Sequence, residues 1–98
     1  MTIEKIKNGT TLELKVAGRL DTMTYPQLDE VIKNEIGGIT ELIIDFKALD
    51  YISSAGLRVL LSAQKIMNVQ GKMTVRNVNE TVKEIFEVTG FTDILTIE

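Results

Sequence analysis

The sequence predicts an α/β fold in which a mixed central β-sheet carries packed α-helices, and three observations predict it. The chain opens with Asn8-Gly9 between two extended runs, a strong hairpin signal because both residues tolerate positive φ. Beyond that hairpin, helical and extended patterns alternate, as they do when helices pack on a sheet. The third observation is Glu41 to Phe46, where Leu42, Ile43, Ile44 and Phe46 leave no polar alternation. Such a run suits a central strand covered on both faces.

Taken in order, Ile3 to Lys7 reads as a short strand. Thr11 to Val16 alternates, with Leu12, Leu14 and Val16 on one side and Thr11, Glu13 and Lys15 on the other, which marks a strand with one buried face. Gly18-Arg19-Leu20-Asp21 is read as a loop leaving that strand. Thr24 with Gln27 three residues on has the pattern of a capping box, and Pro26 is tolerated in a first turn. Leu28, Val31, Ile32 and Ile36 then form a helical stripe, which Gly37-Gly38 ends. After the central strand, a second helix is expected from Ser53 or Ser54 to about Val69, stopped at Gln70-Gly71. It carries two apolar faces, Leu57, Leu60, Leu61 and Met67 on one and Ala55, Val59, Ala63 and Ile66 on the other. Lys72 to Val78 is a strand. Asn79 caps a last helix with the stripe Val82, Ile85, Phe86 and Thr89, and Gly90 stops it. Phe91 to Ile97 closes the chain as a short strand or a docked tail.

Ninety-eight residues without repeats or linkers imply one domain, 1–98, around one core. The chain has no cysteine and no histidine. Disulfides, thiolate or histidine metal sites, cysteine nucleophiles and histidine-dependent triads are thereby excluded. Met1 to Lys7 is short and charged, without the apolar core of a secretory signal. No apolar run approaches the roughly 20 residues of a membrane span. The expectation is a cytoplasmic protein with no membrane span. A net charge of −3 points away from a direct nucleic-acid partner.

Function is concentrated in Asp45 to Met67, which passes from an apolar strand through a polar corner into an apolar helix. At the corner stand Ser53, Ser54, Ala55, Gly56 and Leu57. The residues leave two readings open: the hydroxyls cap the helix, since serine is a preferred N-cap, or something is attached to one of them. Asp21 and Asp45 could be paired carboxylates for acid–base or metal chemistry. The simpler reading makes them loop-end acceptors of backbone N–H groups, and no third ligand type recurs at useful spacing. Gly56 is no phosphate loop, because neither G-x-x-x-x-G-K-[ST] nor G-x-G-x-x-G occurs. It marks a close approach of the helix start to its own sheet or to a partner. Tyr51 reads as a core or rim aromatic, and Arg58 as a solvated charge or a rim contact. No cofactor, metal or catalytic residue is expected, and the protein is expected not to be an enzyme.

The same stretch resembles the STAS domain of anti-sigma factor antagonists. In that family a strand ends in Asp, an aromatic-apolar pair follows, and Asp-Ser-Ser/Thr-Gly-Leu opens a helix. The matching residues are Asp45, Tyr51-Ile52 and Ser53-Ser54-Ala55-Gly56-Leu57, and Gly18-Arg19-Leu20-Asp21 is similar to the family's Gly-x-Leu-Asp loop. The resemblance implies a regulatory protein that binds an anti-sigma factor and so releases a sigma factor. The anti-sigma factor is also a serine kinase, and a PP2C-type phosphatase reverses its action. Carried over by position, the phosphorylated serine is Ser54, with Ser53 the alternative and its expected role a cap. The partner-facing residues are then Asp21, Tyr51, Ser53, Ser54, Ala55, Gly56, Leu57 and Arg58. The chain departs from the pattern twice: Ser53 stands where Asp is common, and Ala55 where Ser or Thr is common. Two other readings are a STAS-type docking subunit of a transporter or signalling assembly, with no phosphate switch, and a weak nucleotide-binding domain using Asp21, Asp45 and the Ser54 helix start.

Overall fold

The computed structural model describes residues 1–98. After the opening hairpin helices and strands alternate as expected, save for one added strand, β4: β1 (Thr2–Asn8), β2 (Thr11–Leu20), α1 (Tyr25–Glu35), β3 (Glu41–Asp45), β4 (Leu49–Ile52), α2 (Ser54–Gln70), β5 (Lys72–Arg76) and α3 (Glu80–Thr89). A 3-10 turn, Phe91–Asp93, follows α3.

The sheet is mixed, in the order β1-β2-β3-β5. β1 pairs antiparallel with β2 across the Asn8-Gly9 turn, and β2, β3 and β5 run parallel. Register follows the apolar pattern. Leu12 pairs with Leu42 and Leu42 with Met73; Leu14 pairs with Ile44 and Ile44 with Val75. These rows are buried in one contiguous core with Ile32 of α1, Leu60 of α2 and Phe86 of α3. A slip of one residue would turn the whole set to the opposite face, where Glu13, Lys15, Asp45 and Arg76 stand.

Helix α2 packs on α1 as well as on β4 and β5. That double contact explains its two apolar faces. Ala55 and Val59 border the groove toward α1, and Leu60 is fully enclosed. At its far end Gly71 passes so close to the Thr40 backbone that no Cβ fits between them. The closing segment is a docked tail: Val75 N–H donates to the Thr96 carbonyl and Glu98 N–H to the Val75 carbonyl, both at 2.9 Å.

Four expectations change. The Gly18–Leu20 segment is no loop but the end of β2, and Leu49–Ile52, unassigned from the sequence, is the strand that pairs with it. Gly18 has φ +100, and the register shifts between Gly18 and Arg19, so β2 bends there and continues with a new neighbour. The Thr24–Gln27 box does not form. Thr24 already has helical backbone angles and its side chain makes no cap bond. The box lies one turn earlier, where Asp21 N–H donates to Thr24 Oγ1 (2.9 Å) and Thr24 N–H to Asp21 Oδ1 (3.2 Å). Finally, β5 stops at Arg76 because Asn77 takes φ 58, a left-handed conformation that asparagine tolerates.

Leu60→Ala is expected to lower the free energy of unfolding in urea by about 2–5 kcal/mol, the cost of a cavity in a filled core. A loss below roughly 0.5 kcal/mol, the range of surface substitutions, would place Leu60 outside the core.

Candidate functional site

The pairing of β2 with β4 assembles the corner. Arg19 lies opposite Tyr51 and Leu20 opposite Ile52 in parallel register. Ser53 N–H extends the ladder by donating to the Leu20 carbonyl at 2.9 Å. The next residues of the two chains, Asp21 and Ser53, therefore leave adjacent parallel strands at their carboxyl ends. Such ends are a common place for binding sites in open α/β sheets. The two sequence motifs, Gly18–Asp21 and Ser53–Leu57, far apart in the chain, become one corner.

Helix α2 begins at Ser54. Ser53 occupies the N-cap position with extended backbone, φ −99 and ψ 176. Its side chain nonetheless makes no capping bond, and its Oγ is closed off from solvent without a hydrogen-bond partner. The expected capping role of Ser53 is therefore corrected: it holds the N-cap position, but its hydroxyl bonds none of the free N–H groups of the first turn. Ser54 is exposed. The first helical N–H with a backbone acceptor is that of Leu57, which donates to the Ser53 carbonyl at 3.0 Å. The N–H groups of the preceding three residues have no intrahelical acceptor, and no side chain takes their place.

Ala55, Gly56 and Leu57 are buried, so they shape the corner from beneath. A Cβ on Gly56 would lie 2.7 Å from Leu20 Cγ and 2.8 Å from Ile52 Cγ1. The close approach marked by this glycine is thus to the protein's own β2–β4 end. Without it the first turn of α2 would lift off those two side chains.

Asp21 is the anchor of the neighbouring turn. Its Oδ1 accepts from Met23 N–H (3.0 Å) and Thr24 N–H (3.2 Å), and Arg19 Nε stands 3.6 Å from Oδ2. The Met23 N–H bond, aided by the Thr24 bonds and the Arg19 charge against some desolvation, holds the carboxyl below its ordinary value. Thr24 Oγ1 in turn donates to the Arg19 carbonyl at 2.7 Å. Asp45 is a similar loop-end acceptor, taking Lys47 N–H (2.9 Å) and the Asn77 amide (3.0 Å). Burial opposes its ionisation, yet those two bonds and the charges of Lys15 and Lys47 keep its carboxyl below the ordinary value. Both aspartates therefore have the backbone-anchoring role expected of loop ends.

Tyr51 is half-buried at the rim, with the Arg19 guanidinium 4.6 Å from its ring centroid, within the range of a cation–π contact. Arg58 is exposed one turn into α2 and borders a shallow groove with Tyr25 and Asp29 of α1, Ala55 and Val59. Sequence reasoning overlooked Arg19, Met23 and Tyr25. Arg19 could have been found only through its register with Tyr51. Met23 is 85% exposed and Tyr25 is exposed, which marks apolar groups offered to solvent beside the corner.

The family model described as STAS domain matches residues 2–98. BtrV of Bordetella bronchiseptica is 33% identical, covering 99% of this chain and 84% of its own length. The anti-sigma-B factor antagonist of Staphylococcus epidermidis is 28% identical, covering 99% of this chain and 92% of its own. The fold is shared with the Bacillus anti-sigma factor antagonist SpoIIAA. Its unphosphorylated structure aligns at TM-score 0.78 and 20% identity over 99% of this chain and 87% of that one. The phosphorylated form aligns at 0.77 and 21% over 99% and 91%.

Because its hydroxyl satisfies no donor or acceptor, Ser53→Ala should leave unfolding free energy within roughly 0.5 kcal/mol of wild type or slightly above it. A loss near 1 kcal/mol, the typical value of a serine cap, would show that Ser53 caps α2 in solution.

Proposed function

The chain belongs to the STAS domain family, and from that premise we propose that it is an anti-sigma factor antagonist switched by phosphorylation of Ser54. Its partner in this reading is an anti-sigma factor that is also a serine kinase, and binding that partner frees a sigma factor. The kinase moves the γ-phosphoryl group of ATP to Ser54 Oγ, displacing the hydroxyl proton and leaving ADP. A PP2C-type phosphatase hydrolyses the ester. The protein is the substrate in both reactions and supplies neither catalysis.

The observation that carries this reading is the contrast between the two serines. Ser54 is exposed at the uncapped start of α2, whereas the Ser53 hydroxyl is shut away from solvent. A kinase can reach the first without disturbing the fold and the second only by moving the helix start.

The physical consequence of modification follows from charge. A phosphoserine carries about −1.5 to −2 charges at pH 7. At a helix N-terminus that charge is welcome, because free N–H groups and the helix dipole point toward it. The modified chain therefore keeps its fold. Binding is what suffers, since the bulk and charge stand where the unmodified corner admits the partner. Like charges brought together across an interface cost several kcal/mol, and each 1.4 kcal/mol is about tenfold in affinity. Asp21, Tyr51 and Arg58 form the rim of this surface. The buried Ala55, Gly56 and Leu57 set the height of the helix start within it.

Incubation with the partner kinase and ATP, followed by phosphopeptide mapping, should find phosphate on Ser54. Ser54→Ala should bind the partner and resist modification. Ser54→Asp should stay folded and bind roughly 100-fold or more weakly, the size expected of a misplaced charge. Phosphate on Ser53 alone would move the site by one residue. Equal affinity of wild type and Ser54→Asp would leave a permanent docking module as the better account.

A further inference from the structure

We propose that Arg58 is the intramolecular ligand of the phosphate on Ser54, holding it against the first turn of α2. The inference rests on the reading of Ser54 as the modified residue. It adds a recognition element at a position that the sequence had left as a solvated charge or a partner contact.

Residues 54 and 58 are four apart on one helix, which puts them on the same face with Cβ atoms roughly 5–6 Å apart. Both are exposed. Helical side chains tend to lean toward the N-terminus, a direction in which an arginine at position 58 can reach the side chain of residue 54. The order is the favourable one, with the negative group N-terminal to the positive one.

Arg58 is also uncommitted. The ion pairs of the protein engage Lys5, Arg19, Lys33, Lys72 and Arg76, but not Arg58. The carboxylate that lines the groove with Arg58, Asp29, is held by Lys33 at 2.9 Å. Arg19, the other cation of the corner, is occupied with Asp21 and the Tyr51 ring. The planar guanidinium offers two parallel donors to phosphate oxygens, a match that a lysine cannot reproduce. The free N–H groups at the start of α2 supply further donors from the backbone. Phosphorylation would then alter two surface groups at once: it adds a phosphate at Ser54 and withdraws Arg58 from solvent or from a partner.

The test uses the full chain with phosphoserine genetically encoded at position 54, so that no kinase is needed. The second ionisation of the phosphate is followed by phosphorus NMR across pH in the Arg58 chain, Arg58→Gln and Arg58→Lys, with circular dichroism to confirm that each is folded. The expected result is a pKa lower in the Arg58 chain than in Arg58→Gln by roughly 0.15–0.4 unit, the size of an exposed i,i+4 pair. Arg58→Lys should fall between them. Superimposable titrations of the Arg58 and Arg58→Gln chains would overturn the proposal. Absence of phosphate on Ser54 after treatment with the partner kinase would instead defeat the underlying reading, a separate result that the titration does not touch.

Discussion

The short parallel pairing of Gly18–Leu20 with Leu49–Ile52 is the constraint on which the corner depends. It is a small piece of sheet, set off from the main ladder by the bend at Gly18. Its effect is to bring the Asp21 turn and the start of α2 to one edge. Leu20 and Ile52 are fully buried, so the pairing is fixed by the core as well as by its backbone bonds. Gly56 then lets α2 settle directly on those two side chains. Any larger residue there must displace Leu20 or Ile52, and with them the strand ends that carry Asp21 and Ser53.

Above this base, the corner divides its polar groups by task. Asp21 and Thr24 satisfy each other and the turn between them, making a rigid rim whose carboxylate is already engaged with backbone donors. Asn79 ties the opposite side of β4 to the third helix: its Oδ1 accepts from Val82 N–H and its Nδ2 donates to the Leu49 carbonyl, each at 2.8 Å. The donors left without partners are concentrated at the start of α2. A neutral serine leaves them to water. A phosphate can use them, together with Arg58, at no structural cost to the sheet beneath. This arrangement suits a signal that changes the surface and leaves the fold alone. SpoIIAA provides a parallel at the level of fold, since its unphosphorylated and phosphorylated structures match this chain almost equally.

Much of the architecture was legible because a single period governed each element. Leu12, Leu14 and Val16 announce a one-sided strand, Leu42 to Phe46 a central one, and α3 is bracketed by the capping side chain of Asn79 and by Gly90, which without a Cβ takes the left-handed turn. β4 was not legible: Leu49 and Ile52 are its only buried positions, and four residues are too few to establish a period. Its partner, Gly18–Leu20, reads as a loop for the related reason that glycine at position 18 breaks the alternation. The two oversights are the two sides of one ladder, created by tertiary pairing. At the site, the sequence places Ser54 at a helix start but does not tell whether the Ser53 hydroxyl bonds the first turn. Serine favours caps in general, and here its hydroxyl makes no cap bond, which no local pattern encodes. Likewise the Arg19–Tyr51 contact comes from strand register, which only the assembled sheet reveals.

The proposed switch is phosphorylation of Ser54, which turns a binding surface into a non-binding one without disturbing the fold. Its most direct test is a calorimetric titration of the partner anti-sigma factor with the same purified chain before and after stoichiometric phosphorylation at Ser54, with an amide NMR spectrum of each form. The switch predicts a spectrum altered only around the β2–β4 corner and the start of α2, and an affinity reduced by roughly 100-fold or more, as a charge placed inside a contact requires. Equal affinities for the two forms, or a loss of binding accompanied by loss of the folded spectrum, would contradict it.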